Sequence, residues 1–261
     1  MLVALGACSD QIHLGGAPLA PSAPDAPLAA DVADALPALP YWFADHETGD
    51  LSQWFEGGSS EGGQILSSDG AQLTVVTSPV HSGQFAVGSA INATGRPSYA
   101  RLYRSGVLPT DAYYRVWMYI PQRYTIGQLW NVFEFQGRPD PADPTKYVYL
   151  WSLNLEQASN GDMSWYLFDD VRQKNYRTNP TMAAPILHWF LVEAFMHQAT
   201  DNSGHVTFWI DGNLFADVTG VSTVPTMWLS WNVGGSSSNI TEPSAEIFLD
   251  DAEIALTGPA K

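Results

Sequence analysis

The sequence has few of the residues that crosslink a chain, bind nucleic acid or cross a membrane. Its single cysteine, Cys8, excludes any disulfide within the chain. Eleven Lys and Arg stand against 27 Asp and Glu, a formal net charge of −16 at pH 7. This balance argues against a nucleic-acid partner, which requires a clustered basic surface. The longest apolar runs are too short to span a bilayer, and no long amphipathic helix is predicted.

From Tyr41 onward, short runs rich in Val, Ile, Tyr, Phe and Trp alternate with turn clusters of Gly, Asn, Asp, Pro and Ser. Such runs are typical of β-strands, and the hydrophobic content of 45% is enough for one sizeable core. Many short strands at regular spacing predict an all-β sandwich or jelly roll of two antiparallel sheets. The predicted strands are 72–77, 85–91, 100–104, 113–120, 129–136, 147–155, 163–168, 189–198, 205–210, 227–233 and 245–255.

The N-terminal region has the composition of a lipoprotein export signal followed by an extended tether. Leu5-Gly6-Ala7-Cys8 resembles the lipobox of bacterial lipoproteins, in which the cysteine is lipidated, although no Lys or Arg precedes it. Residues 9–40 are rich in Ala and Pro, have no basic residue, and favour an extended tether. The predicted organisation is a signal remnant at 1–8, a tether at 9–40 and one folded domain at 41–258. The expected location is extracytoplasmic, with a lipid anchor in the bacterial membrane or cell surface.

Six segments of the folded domain carry recognisable motifs. In chain order they are 43–54 (FADHETGDLSQW), 78–86 (SPVHSGQFA), 113–121 (YYRVWMYIP), 130–136 (WNVFEFQ), 189–197 (WFLVEAFMH) and 247–254 (IFLDDAEI). Their order and content resemble concanavalin A-like jelly rolls, and among these the polysaccharide lyases of the heparin lyase I-like group. The resemblance implies a concanavalin A-like jelly-roll β-sandwich. Lectin and carbohydrate-binding relatives share most of these motifs, so the resemblance is more specific for fold than for activity.

The same resemblance implies a structural Ca²⁺ where the two ends of the domain meet. Related jelly rolls bind calcium there with carboxylates and carbonyl oxygens, and the matching residues are Glu47 and Asp251, close to the turn at Ser82 and Gly83. The alternative is that both carboxylates are solvated turn acids. No organic cofactor is predicted.

Basic residues are confined to the middle of the chain, because every Lys and Arg except Lys261 lies between Arg96 and Arg177. Local positive charge in an acidic protein would attract an anionic ligand to the central strands. Strand alternation places Arg101 and Tyr103 on one face. The alternative is that these arginines are outward-facing solubilising charges.

Elimination across a uronate needs a group that neutralises the carboxylate, a base for the C5 proton and an acid for the leaving oxygen. The predicted catalytic residues are Arg101 and Gln136 as neutralising groups, with Asn131 as a further candidate, His197 as the base and Tyr103 as the acid. Simple alternation puts Glu134 and Gln136 on one face of their strand and Asn131 on the other. Lyase-like sequences often carry Gln at the position of Glu134 and a Lys or His near Gln136, so these two positions depart from the pattern.

The remaining predicted substrate-binding residues are Arg115, Glu134, Asn154, Glu193, Trp231 and Asn232. Ten Trp and eleven Tyr also suggest an exposed aromatic platform, with Trp151, Trp165, Trp209, Trp228 and Trp231 as candidates. Three functions stay open: a lyase that cleaves an acidic polysaccharide, a non-catalytic lectin-like module, and an envelope or adhesion protein without a sugar ligand. Glycoside hydrolysis is disfavoured, because the usual Glu-x-Asp-x-x-Glu pattern is absent. The chain is expected to be a monomer.

Overall fold

The computed structural model describes residues 41–92, 95–143 and 145–258. The chain divides into two units, Met1–Pro37 and Ala38–Lys261, and the described residues all belong to the second. Cys8 and the tether at 9–40 lie outside the described residues, so the lipid anchor stays a prediction. The described residues include no helix with the length and hydropathy of a transmembrane span.

Regular structure in the described residues is almost entirely β, with no α-helix and one short 3₁₀ helix at Ser52–Phe55. The strands are β1 (Trp42–Ala44), β2 (Gly62–Leu66), β3 (Gln72–Val76), β4 (Ala86–Ile91), β5 (Ser98–Gly106), β6 (Asp111–Tyr119), β7 (Trp130–Gly137), β8 (Val148–Gln157), β9 (Met163–Asp169), β10 (Lys174–Tyr176), β11 (Trp189–His197), β12 (Gly204–Ile210), β13 (Asn213–Val221), β14 (Leu229–Ser237) and β15 (Ala245–Ala255).

These strands form two antiparallel sheets packed as a jelly-roll sandwich, which confirms the predicted fold. The seven-stranded sheet has the order β10-β9-β8-β7-β14-β5-β2. The eight-stranded sheet has the order β13-β12-β11-β6-β15-β4-β3, with β1 paired to β15. The pairing of β1 with β15 brings the two ends of the domain together, as the resemblance implied.

The core lies between the sheets and holds most of the large aromatic side chains. Trp54, Trp130, Trp151, Trp165 and Trp231 are all fully buried there. Three of them were candidates for an exposed platform, and the structure corrects that expectation. Their strands alternate inward and outward, and the inward positions bury the largest apolar area.

Residues 234–238 are Gly and Ser only, a composition typical of a loop, but β14 continues through this stretch to Ser237. Gly234 has φ +114°, and a Cβ at this position would lie 2.4 Å from the carbonyl oxygen of Ala100. Glycine therefore keeps β14 close to β5 at the step where its pairing with β7 is irregular, and the strand continues.

Candidate functional site

A cleft of about 590 Å³ lies across the outer face of the seven-stranded sheet. This volume is in the range of small-ligand sites. Its lining includes Arg101, Arg138, Glu134, Asp170, Tyr99, Tyr103, Tyr147, Tyr149 and Trp228. Two arginines are thus matched by two carboxylates, so the cleft does not have the excess positive charge that the sequence suggested.

A β-bulge in β7 decides which side chains face this cleft. Asn131 pairs with Asn154 of β8 and Phe133 pairs with Leu153, so Val132 is the extra residue. The extra residue resets the alternation, and Asn131 shares the outer face with Glu134. The expectation that these two residues lie on opposite faces is therefore wrong, because it assumed an unbroken period of two.

A second irregularity in β8 acts in the same way. Gln136 pairs with Tyr149 and Phe135 pairs with Trp151, which leaves Leu150 as the extra residue. Tyr149 and Ser152 consequently both line the cleft, although three positions separate them.

Arg101 lies at the centre of the cleft floor and is 7% exposed. Its Nη1 donates to Glu134 Oε1 at 2.8 Å and its Nη2 donates to Asn131 Oδ1 at 2.5 Å, whereas its Nε is buried with no hydrogen-bond partner in the described residues. Gln136 Nε2 donates to Glu134 Oε1 at 2.5 Å. The guanidinium is thus held by one carboxylate and one amide, which fixes its plane.

A hydroxyl bridges the two carboxylates of the cleft. Ser152 Oγ donates to Asp170 Oδ2 at 2.6 Å and lies 3.5 Å from Glu134 Oε2. Burial raises the pKa of Asp170 to about 6; the hydrogen bond from Ser152 opposes this shift, and the negative charges of Glu134 and Asp169 add to it.

Tyrosines form the walls around these charges. Burial raises the pKa of Tyr149 to about 12, helped by the charge of Glu134 and by Tyr147, while Arg101 opposes the shift. The rings of Tyr147 and Tyr149 meet edge to face, with centroids 5.6 Å apart. Tyr103 lies on the same floor, and its hydroxyl donates to the carbonyl oxygen of Ser59 at 2.9 Å.

An aromatic and cationic pair lies at another part of the lining. The guanidinium of Arg138 stacks over the ring of Trp228, with its carbon 3.7 Å from the ring centroid. Trp228 therefore lines the cleft, unlike the three core tryptophans that were candidates for a platform.

Two predicted asparagines lie on the sheet face that carries the cleft: Asn154 lines the cleft, and Asn232 is buried beside it. Asn154 Oδ1 accepts a hydrogen bond from Asn131 at 3.0 Å and is 2% exposed. Asn232 pairs with Glu134 on one side and with Tyr103 on the other, so the three side chains share a face. The Oδ1 atom of Asn232 is buried and has no hydrogen-bond partner among the described residues.

Three other predicted site residues lie on the opposite surface of the sandwich. Arg115, Glu193 and His197 face outward from β6 and β11 of the eight-stranded sheet. His197 forms a pair with Asp111 at 2.8 Å. The sequence grouped His197 with Arg101, but the two residues are on different sheets, so they do not form one site.

Trp231 is also separate from the cleft, because its side chain is fully buried in the core. It contacts Trp42, Trp54, Tyr114 and Phe133. Its burial replaces the expected ligand contact with a packing role.

The two residues predicted to hold calcium lie against one loop. Glu47 Oε1 accepts the backbone N–H groups of Gln84 and Phe85, and Asp251 pairs with His81 at 2.7 Å and accepts the Ser82 hydroxyl at 3.0 Å. In the described part of the chain, no three His, Cys, Asp or Glu side chains are grouped to hold a metal ion. The carboxylate oxygens of Glu47 and Asp251 thus face hydrogen-bond donors. In this arrangement the two carboxylates do not fit a cation. Structural Ca²⁺ stays a prediction.

Sequence reasoning missed Tyr147, Tyr149, Ser152 and Asp170, which the fold brings to the cleft. The available signal was the acidic pair Asp169-Asp170 at the end of a strand-like run, where polar side chains mark a strand edge. The position of Asp170 also depends on the irregularity in β8, because its backbone N–H donates to the carbonyl of Leu150 at 3.0 Å.

No family model and no curated protein sequence matches the chain. Solved structures share its fold. An endo-β-1,4-glucuronan lyase from the fungus Trichoderma reesei has a TM-score of 0.61 and 13% identity, covering 84% of this chain and 96% of that one. Cellulose induced protein Cip1 has a TM-score of 0.54 and 14% identity, covering 82% and 97%. The expected likeness to jelly-roll polysaccharide lyases is confirmed at the level of fold.

Proposed function

We propose that this protein is a polysaccharide lyase that binds a uronate polymer in the cleft of the seven-stranded sheet and cleaves it by β-elimination. The observation that carries the proposal is the arginine centre of the cleft. Arg101 is fixed between Glu134 and Asn131, with Gln136 beside it, in a cleft bordered by tyrosines. The shared fold with a glucuronan lyase supports the same substrate class.

The proposed chemistry divides charge stabilisation and proton donation between different side chains of the cleft. Arg101 and the amide of Gln136 stabilise the negative charge that develops on the uronate carboxylate as the C5 proton leaves. Tyr149 donates a proton to the leaving oxygen, since its raised pKa of about 12 keeps the hydroxyl protonated at neutral pH. The C4–O bond breaks and a C4–C5 double bond forms.

A lectin-like module is the second candidate, and one feature of the cleft favours it. The positive charge of Arg101 is already paired with Glu134 at 2.8 Å, and no histidine of the described residues lines the cleft. An exposed tyrosine wall around a neutralised arginine suits stacking against sugar rings without bond cleavage.

Export to the cell surface is part of the proposal. The lipobox-like sequence that ends at Cys8 and the Ala/Pro-rich residues 9–40 support a lipid-anchored protein that displays its domain outside the cytoplasm. A monomeric domain with an acidic polysaccharide as partner is consistent with this arrangement.

To test the lyase function, the protein is incubated separately with glucuronan, alginate, pectate, hyaluronan and chondroitin. The ultraviolet absorbance of unsaturated uronate ends is followed over time. We expect absorbance to rise with at least one polymer. Tyr149→Phe should lower the initial rate at least about 100-fold, because the acid for the leaving oxygen is removed.

Tyr119→Phe is the matched control, since Tyr119 lies on the other sheet and should keep the wild-type rate. Retardation of a polymer in a gel without any new absorbance would replace the lyase with the lectin. Neither absorbance nor retardation with any polymer would refute both functions.

A further inference from the structure

The proposed elimination requires a base for the C5 proton, and the cleft has to supply it without histidine. The five histidines of the described residues are all absent from its lining: His46, His81, His188, His197 and His205. Glu134 is a poor candidate, because one of its oxygens already accepts hydrogen bonds from Arg101 and Gln136. A base held by fewer donors is needed.

Asp170 lies where two cavities meet. A second cavity, also about 590 Å³, adjoins the cleft, and its lining includes the apolar residues Val171, Val224 and Pro225. Asp170, Tyr147 and Tyr149 line both cavities. An extended chain that occupies both would pass directly over these three side chains.

The local contacts leave Asp170 able to accept a proton. Its Oδ2 accepts the Ser152 hydroxyl at 2.6 Å, and its Oδ1 accepts no hydrogen bond from the described residues. Its backbone is fixed, since its N–H donates to Leu150 and its carbonyl accepts from Gln173 Nε2. A rigid backbone with one available carboxylate oxygen is a suitable arrangement for a general base.

We propose that Asp170 is the catalytic base of this cleft and that a uronate linkage bridging the two cavities is the bond cleaved. The inference rests on the proposed lyase function. The C5–H bond breaks and its proton goes to Asp170 Oδ1. The electron pair forms the C4–C5 double bond, the C4–O bond breaks, and the leaving oxygen takes the proton of Tyr149. Water then removes the proton from Asp170 and returns one to Tyr149.

The surrounding charges support this division of roles. The titratable groups near Asp170 are Glu134 from β7, Tyr149 from β8, Tyr147 just before β8, and Tyr166 and Asp169 from β9. Asp169 is fully buried and paired with Arg172 at 3.0 Å, so it has a structural role. The pKa of Asp170 is raised to about 6 and that of Tyr149 to about 12, which separates a base from an acid at neutral pH.

The test is a pH–rate profile of the full chain with the polymer that gives the largest absorbance. A base must be deprotonated to act, so kcat/KM should rise with pH through about 6. Asp170→Asn should lower kcat at least about 100-fold while KM stays within about threefold. Asp111→Asn, an exposed carboxylate on the other sheet, is the matched control and should keep the wild-type profile.

Ser152→Ala provides a second test that does not depend on removing the base. The Ser152 hydroxyl lowers the pKa of Asp170, so its loss should move the rising part of the profile to higher pH. An unchanged midpoint in Ser152→Ala, or wild-type kcat in a folded Asp170→Asn, would overturn the assignment of Asp170 alone. Failure of the wild type to form unsaturated ends with any polymer would overturn the lyase function, and the base assignment with it.

Discussion

The two outer faces of the sandwich each hold a buried arginine, and the two arginines differ in how completely they are paired. Arg115, on the eight-stranded sheet, donates from Nε to Glu193 at 2.5 Å, from Nη1 to Glu253 at 2.6 Å and from Nη2 to the carbonyl of Thr257 at 3.1 Å. Arg101, on the seven-stranded sheet, uses only its two Nη atoms. The two residues are similarly buried, at 9% and 7% exposure.

The difference separates a structural ion cluster from a ligand site. Burial would lower the pKa of Arg115, but its hydrogen bonds and ion pairs with Glu253 and Glu193 outweigh that effect and raise it. All three nitrogen atoms of its guanidinium are used within the chain. Arg101 instead borders an open cleft, next to Gln136 and two tyrosines with exposed edges. A buried arginine on a strand therefore indicates a site only when its surroundings leave room for a ligand.

The largest expected effect is on stability, and it comes from Arg115→Ala. The substitution leaves Glu193 and Glu253 without their cation, so we expect the free energy of unfolding to fall by about 3 kcal/mol or more. Urea denaturation followed by tryptophan fluorescence measures it. Arg101→Ala is the comparison and should cost less, because water in the cleft can solvate Glu134. Equal losses of unfolding free energy in the two variants would show that the two arginines contribute equally to stability, which would contradict the distinction between the two faces.

The next effect is on activity, and it comes from Arg101→Ala. Loss of the central positive charge should lower kcat/KM on the preferred polymer by about 100-fold. Arg101→Lys should recover only part of the rate, because a lysine cannot reproduce the planar fork that contacts Glu134 and Asn131. A wild-type rate in Arg101→Ala would mean that the polymer is cleaved elsewhere on the molecule.

The smallest expected effect is that of His197→Ala. His197 is on the eight-stranded sheet and pairs with Asp111, so the rate should stay within about twofold of the wild type. The same absorbance assay measures it. A loss comparable to that of Arg101→Ala would move the active site to the face that contains Arg115.

Much of the strand pattern is predictable from sequence, because central strands bury one face and show a clear period of two. The predicted strands 113–120 and 205–210 match β6 and β12 closely. The pattern missed four strands: β1, β2, β10 and β13. The last three are at sheet edges, and β1 has only three residues and pairs with β15 alone. Edge strands carry polar residues and glycines that blunt further pairing, and these residues weaken the hydrophobic period.

The candidate site was only partly predictable. Arg101, Tyr103, Glu134, Gln136 and Asn154 were selected from sequence, and the structure brings them to one cleft. Asn131 was predicted to lie on the face opposite Glu134, and this prediction was wrong. A single extra residue in a strand moves every later side chain to the other face of the sheet. Such a bulge depends on the pairing partner, which one strand's sequence does not contain.

The sequence by itself determined the fold class and the acidic character of the protein, because alternating apolar runs, turn residues and charge counts are local properties of the chain. Only the tertiary structure decided that Arg115 is buried in an ion cluster and that Arg101 borders a cleft. This difference arises because β5 and β6 belong to different sheets. The tertiary structure also brought Asp170 next to Glu134 through Ser152, residues from three strand regions whose proximity no local pattern encodes.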